Sequence, residues 1–294
     1  MDMDILKNYQ NFKIYFTFFL IWVSIQFGDL VEDYIGYVLV ISIGILHGAN
    51  DLLILSIRQK VKILDKKNLI TYLGIVFICF LLFYIQPFFS ICLFILISSY
   101  HFGEEHFSRN ISVNWWFDTF FYTTYGILLF AILFTFALDN VKEIMVELTG
   151  NYFNNNEVTI TLITSGVLFL LLNVFLIIKK KINLSNFLKE LFYLALIAVV
   201  FNTSSLILGF AIYFILWHSI PSILGQIEFI SGDFNKKNIL FYLKKGAIFW
   251  GFSILGLLLL YVIFIDVKIL NSLIFMILFA VTAPHIWVMN KMKN

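Results

Sequence analysis

Charge is scarce in this chain, and so are cysteine and proline. Asp, Glu, Lys and Arg make up only 13% of its 294 residues, where a soluble domain carries about 25%. A soluble domain is therefore excluded. The two cysteines, Cys79 and Cys92, lie in apolar stretches without C-x-x-C spacing, which excludes a disulfide framework and a thiolate metal site and leaves them as packing residues. Of three prolines, Pro221 and Pro284 interrupt apolar runs. No small-residue cleavage site follows the first apolar segment before Gly28 and Asp29, so that segment reads as a retained span. No internal repeat, low-complexity tract or long linker is evident, and one integral membrane domain over 1–294 is expected. The net charge of +2 carries little information. Nucleic acid is not an expected partner.

What the chain has in excess is apolar surface: 61% hydrophobic residues and a mean hydropathy of +0.93. Its solvent is lipid, where every backbone polar group must be satisfied internally, so only a helix bundle or a closed barrel is open to it. Apolar runs of roughly 17–25 residues suit helices crossing a ~30 Å core, whereas barrel strands need only about 10 alternating residues. The predicted fold is all-α, a polytopic transmembrane bundle of about ten spans. They fall near 14–30, 34–57, 69–85, 88–106, 115–138, 158–178, 187–202, 205–230, 246–265 and 269–290. With this topology, all of the 20 Lys and Arg residues except Lys142 and Lys268 lie on the N-terminal side. By the positive-inside rule both termini are cytoplasmic, and a multi-pass protein of the cell (inner) membrane is expected. The Asn-rich stretch 151–156 reads as an exposed outer loop.

Four of the five histidines fall inside even-numbered spans, which all run from outside to inside. His47, His101, His218 and His285 each lie about 13–16 residues from the outer start of their spans, roughly 20–24 Å down at 1.5 Å per residue. His106 sits nearer the cytoplasmic edge. Polar groups at such depth are costly unless they face the bundle interior and find partners, so an intramembrane histidine is a functional candidate. One alone reads as an interhelical hydrogen-bonding residue, but four in one layer point to a metal site, because a cation stabilises converging neutral imidazoles. Asp51, four residues after His47, and Glu104 and Glu105, three and four after His101, are placed to accept the distal N–H of a ligating imidazole. The two glutamates also read as solvated groups near the surface.

An all-imidazole shell suits Fe, Zn or Cu. Four imidazoles around octahedral Fe(II) would leave two positions for O₂ chemistry, which favours Fe²⁺. No catalytic group beyond the metal centre is called for. The 35 Phe, 14 Tyr and 6 Trp read mostly as membrane core and interfacial belts; Tyr100, Trp217 and Trp287, beside the histidines, are candidates to line a flat conjugated substrate. A transporter relaying a proton or cation through the same layer is the rival class.

The segments His47-Gly-Ala-Asn-Asp51, His101-Phe-Gly-Glu-Glu105, Trp217-His-Ser219 and Ala283-Pro-His285 resemble the motif set of the Brp/Blh family. Those are bacterial and archaeal membrane β-carotene 15,15′-dioxygenases. The resemblance implies an iron-dependent carotenoid cleavage dioxygenase that takes β-carotene and O₂ and releases two all-trans-retinal for a microbial rhodopsin. It implies His47, His101 and His218 as iron ligands. One position departs from the pattern: the family has a second histidine four residues after that of the Trp-His-Ser motif, and Ser222 stands there in this chain. The fourth ligand is then His285, which shares the depth of the others, or alternatively His106. The same departure leaves open a divergent paralogue acting on another carotenoid, or a catalytically silent carotenoid-binding protein.

Overall fold

The computed structural model describes the backbone of residues 3–109, 111–264 and 267–293, and the side chains of 8–109, 111–259, 262 and 276–293. Lys7, Lys268 and the first turns of the expected tenth span lie outside the described side chains. Among the described residues the chain is helical, with no strand.

Eight helical stretches are long and apolar enough to cross a membrane: Asp29–Gln59, Lys66–Ile85, Pro87–Phe107, Trp115–Phe136, Asn155–Ile178, Leu184–Thr203, Leu206–Ser231 and Lys236–Leu259. They coincide with the second to ninth expected spans. The last begins about ten residues early, because residues 236–245 are continuous with the helix. The first expected span lies on a helix, α1 (Met3–Gln26), but Gln10, Asn11, Lys13 and Gln26 dilute its apolar character and it is not among the eight. The tenth lies on α14 (Val267–Lys293).

Helix ends are set by local chemistry. Asp65 caps α5 (Lys66–Ile85), Asn114 caps α7 (Trp115–Phe136) and Asn183 caps α10 (Leu184–Thr203), each side chain accepting a first-turn N–H. In the Asn-rich segment 151–156, Asn154 forms with Glu157 a reciprocal capping box that starts α9 (Asn155–Ile178). Gly150 and Gly232, at φ +69° and +82°, close α8 (Leu138–Thr149) and α12 (Ile220–Ser231) in the left-handed region.

Two of the histidine-bearing spans are irregular. Asp29–Gln59 runs as α2 (Asp29–Leu39), a π turn over Val40–Gly44, α3 (Ile45–Gly48), a break at Ala49 and Asn50, and α4 (Asp51–Gln59). Leu206–Ser231 runs as α11 (Leu206–Ile212), a π segment over Tyr213–Ser219, and α12. Pro221 cannot donate to the carbonyl of Trp217 four residues back, and its ring crowds that carbonyl, so regular α geometry is not continuous there. Widened turns of this kind occur frequently at functional sites.

The chain forms two compact units. The first comprises Met1–Lys13, Val38–Ile91 and Ser219–Asn294. Within it α14 packs on α4 and α5, α13 (Lys236–Phe264) packs on α3 and α14, and α12 packs on α3, α4 and α13. The second comprises Ile14–Tyr37 and Cys92–His218, with α7 packed on α9, α10 and α11.

Candidate metal centre

In the first unit the break after α3 decides the local arrangement. Asn50 has φ −98° and ψ 11°, outside the helical region. In an unbroken helix, residues four apart share a face, and Asp51 would serve His47. The break takes the carboxylate elsewhere: Asp51 Oδ1 lies 2.7 Å from His285 Nδ1 on α14, and Tyr72 on α5 donates its hydroxyl to Oδ2 at 3.1 Å. The expected pairing of Asp51 with His47 is thus corrected to His285. A carboxylate at Nδ1 fixes the neutral imidazole as the Nδ1–H tautomer and leaves the Nε2 lone pair for a metal. His47 and His285 sit edge to face, ring centroids 4.3 Å apart at 64°. His47, Asp51 and His285 are all buried.

In the second unit His101, on α6 (Pro87–Phe107), and His218, in the π segment, form a similar pair at 4.7 Å and 76°. Aromatic rings close on it. Phe102 lies 4.7 Å from His218, and Phe214 stacks on the same imidazole at 5.7 Å and 15°. Phe102 is in turn stacked on Phe130. The α6–α7 crossing that carries His101 needs two glycines: a Cβ on Gly103 would overlap the backbone of Tyr122, and one on Gly126 that of Ser99. Small residues let helix backbones approach this closely in a membrane.

Glu104 and Glu105 are buried rather than solvated. Glu104 Oε2 is 3.9 Å from His101 Nδ1, within ion-pair range but too long for a hydrogen bond, and Oε1 accepts from Tyr100 at 3.1 Å. His47, His101 and His285 each offer a ring nitrogen that could hold a metal ion. In the first unit, the imidazoles of His47 and His285 suit a borderline cation such as Fe(II), and the Asp51–His285 bond is the usual carboxylate–imidazole support of one.

A family model described as beta-carotene 15,15′-dioxygenase matches residues 38–293. The chain belongs to that family. No curated protein and no solved structure matches it.

As a member of the beta-carotene 15,15′-dioxygenase family, the chain can be read position by position. His106, the alternate fourth ligand, bonds Glu190 at 2.7 Å and stacks on Tyr125 at 5.1 Å. Five residues from His101, it points roughly 140° around α6 from that imidazole. Of the candidate lining residues, Tyr100 is engaged with Glu104. Trp217 donates its indole N–H to Thr17 at 3.2 Å and meets Tyr193 edge to face. Trp287 packs on a buried cluster of Leu52, Ile54, Leu55, Val288 and Met289. Ser222 is buried and receives a 3.4 Å bond from Gln226.

Sequence reasoning missed Tyr72, Gln226, Phe102 and Phe214. Phe102 was within reach as the residue after His101, and Phe214 as the one four before His218. Gln226, a lone amide in an apolar run one turn after Ser222, is a signal visible in the sequence. Tyr72 gave none.

Proposed function

We propose that this protein cleaves β-carotene at its central 15,15′ double bond with O₂, giving two all-trans-retinal, on an Fe(II) ion held by His47, His101, His218 and His285. It would do so as a multi-pass protein of the inner membrane with both termini cytoplasmic. The observation that carries the reading is the buried Asp51–His285 bond in a chain whose family is that of β-carotene dioxygenases. The equal depth of the four histidines along the sequence supports grouping them as ligands of one ion.

Iron(II), when bound, supplies the one-electron chemistry that O₂ needs to react with a closed-shell hydrocarbon. The chain's own residues do the rest. Asp51 accepts the Nδ1–H of His285 and holds its ring in one orientation, with Tyr72 securing the other carboxylate oxygen. Phe102 and Phe214 keep water from the His218 face and offer flat apolar surface to a polyene. Both oxygen atoms end in the two aldehydes and no proton is gained or lost. No nucleophile or general base is therefore required of the protein.

Cells that make β-carotene, given this chain, should accumulate retinal, and the retinal would serve a microbial rhodopsin. Purified protein reconstituted with Fe(II) and supplied with β-carotene and O₂ should release the same product. His47→Ala and His218→Ala should each abolish both bound iron and retinal. Metal-replete protein that yields no cleavage product would overturn the reading. Because serine stands at 222, a second reading is a different carotenoid or bond, marked by apocarotenals of other lengths.

A further inference from the structure

The helix break beside His47 is buried, with His47, Asn50 and Asp51 all shielded from the surface. A carbonyl released from the helical ladder there must find a donor inside the protein. Gln226, fully buried on α12, supplies one: its Nε2 donates to the backbone carbonyl of His47 at 3.1 Å. The same nitrogen reaches Ser222 Oγ at 3.4 Å and Met289 Sδ at 3.9 Å, while Oε1 accepts from the Tyr242 hydroxyl on α13 at 2.7 Å. The backbone carbonyl of Tyr242 accepts from Asn50 Nδ2 at 3.1 Å. Asn50 is the break residue next to Asp51. Gly246, one turn further along α13, comes so close that a Cβ there would stand 2.9 Å from Asn50 Nδ2.

These bonds form a closed circuit from His47 through Gln226 and Tyr242 to Asn50 and back along the chain through Ala49 and Gly48. We infer that Gln226 is a positioning residue for the metal site: by clamping the carbonyl of His47 and tying it through Tyr242 to Asn50, it sets where the His47 imidazole stands relative to Asp51 and His285. The inference rests on the proposed metal site. The chemistry requires an amide at 226, since the position needs N–H donors toward His47 and Ser222 and an acceptor toward Tyr242. A carboxylate of the same shape keeps the acceptor but turns an oxygen toward the His47 carbonyl. Leucine keeps the volume and loses every bond. Ser222 thereby has a place in the structure as the second acceptor of the same amide.

The test uses the full-length protein in detergent and titrates it with Co(II), whose d–d absorption reports both affinity and ligand geometry without turnover. Gln226→Leu and Gln226→Glu should weaken Co(II) binding about 10–100-fold, the range for residues that orient metal ligands. Both should also shift the d–d bands. Tyr242→Phe, which removes one bond of the circuit and leaves the amide in place, should fold and give a smaller change in the same direction. His47→Ala serves as the reference for a lost ligand. Folded Gln226→Glu or Tyr242→Phe protein with wild-type affinity and wild-type bands, beside a His47→Ala variant that loses Co(II), would overturn this inference and leave the metal site standing. Wild-type protein that binds no Co(II) at all would overturn both.

Discussion

Replacing Asp51 by asparagine keeps the volume of the side chain and removes one buried negative charge. Asp51 receives two bonds, 2.7 Å from His285 and 3.1 Å from Tyr72, at a site almost closed to solvent. Asparagine can still accept the Nδ1–H of His285 through its oxygen, so the tautomer survives while the charge that raises the basicity of Nε2 is lost. Alanine removes both acceptors and leaves a buried imidazole N–H and a buried phenol unsatisfied. Residues in this role change metal affinity by about 10–100-fold, or about 1.4–2.7 kcal/mol. Asp51→Asn should fall near the lower end and Asp51→Ala at or beyond the upper. Tyr72→Phe removes one hydrogen bond to a charged group, leaves the His285 bond intact, and should have the smallest effect of the three. The assay is the Fe(II) or Co(II) dissociation constant of purified protein, read beside its thermal unfolding midpoint. A wild-type dissociation constant for folded Asp51→Ala would refute the claim that this carboxylate supports a metal-binding imidazole. An order in which Tyr72→Phe exceeds Asp51→Ala would refute the geometry behind it.

Gly103→Ala should destabilise the protein by about 1–3 kcal/mol or more, because the obstacle is the backbone of Tyr122 and no side-chain rotation relieves it; detergent-phase thermal unfolding and the metal content of surviving protein check this, and wild-type values for both would refute it. Gly48→Ala is the contrasting case: the nearest atoms to its Cβ are 3.6–3.8 Å away, so stability and metal binding should stay close to wild type in the same assays. His106→Leu should lower stability by about 1 kcal/mol through loss of the Glu190 bond while the bound metal and its spectrum stay unchanged; loss of metal would return His106 to the set of candidate ligands.

Much of the fold was open to a reader of the chain. Eight of ten expected spans recur in the structure, because the free energy of placing a helix in lipid sums over its own residues and needs no knowledge of its neighbours. Of the other two, the tenth lies on α14, and α1 falls short for the same local reason, since four polar residues dilute it. The histidine motifs were equally visible, as was the departure at Ser222. The pairing of carboxylate with imidazole was not. Helical spacing assigned Asp51 to His47, an inference valid only if residues 47–51 form one helix, and the structure breaks that helix at Ala49 and Asn50.

Hydropathy, then, is enough to establish an apolar, helical chain with histidines inside its helices, since it is a property of one segment at a time. The tertiary structure alone decides which groups meet. Asp51 and His285 are 234 positions apart, and Gln226 and His47 are 179 apart. Their contacts depend on the rotation of each helix about its axis, on a π segment ahead of Pro221, and on a broken turn after His47. A rotation of one residue moves a side chain by about 100°, enough to carry a polar group from the bundle interior to the lipid, and no periodicity along the chain records it.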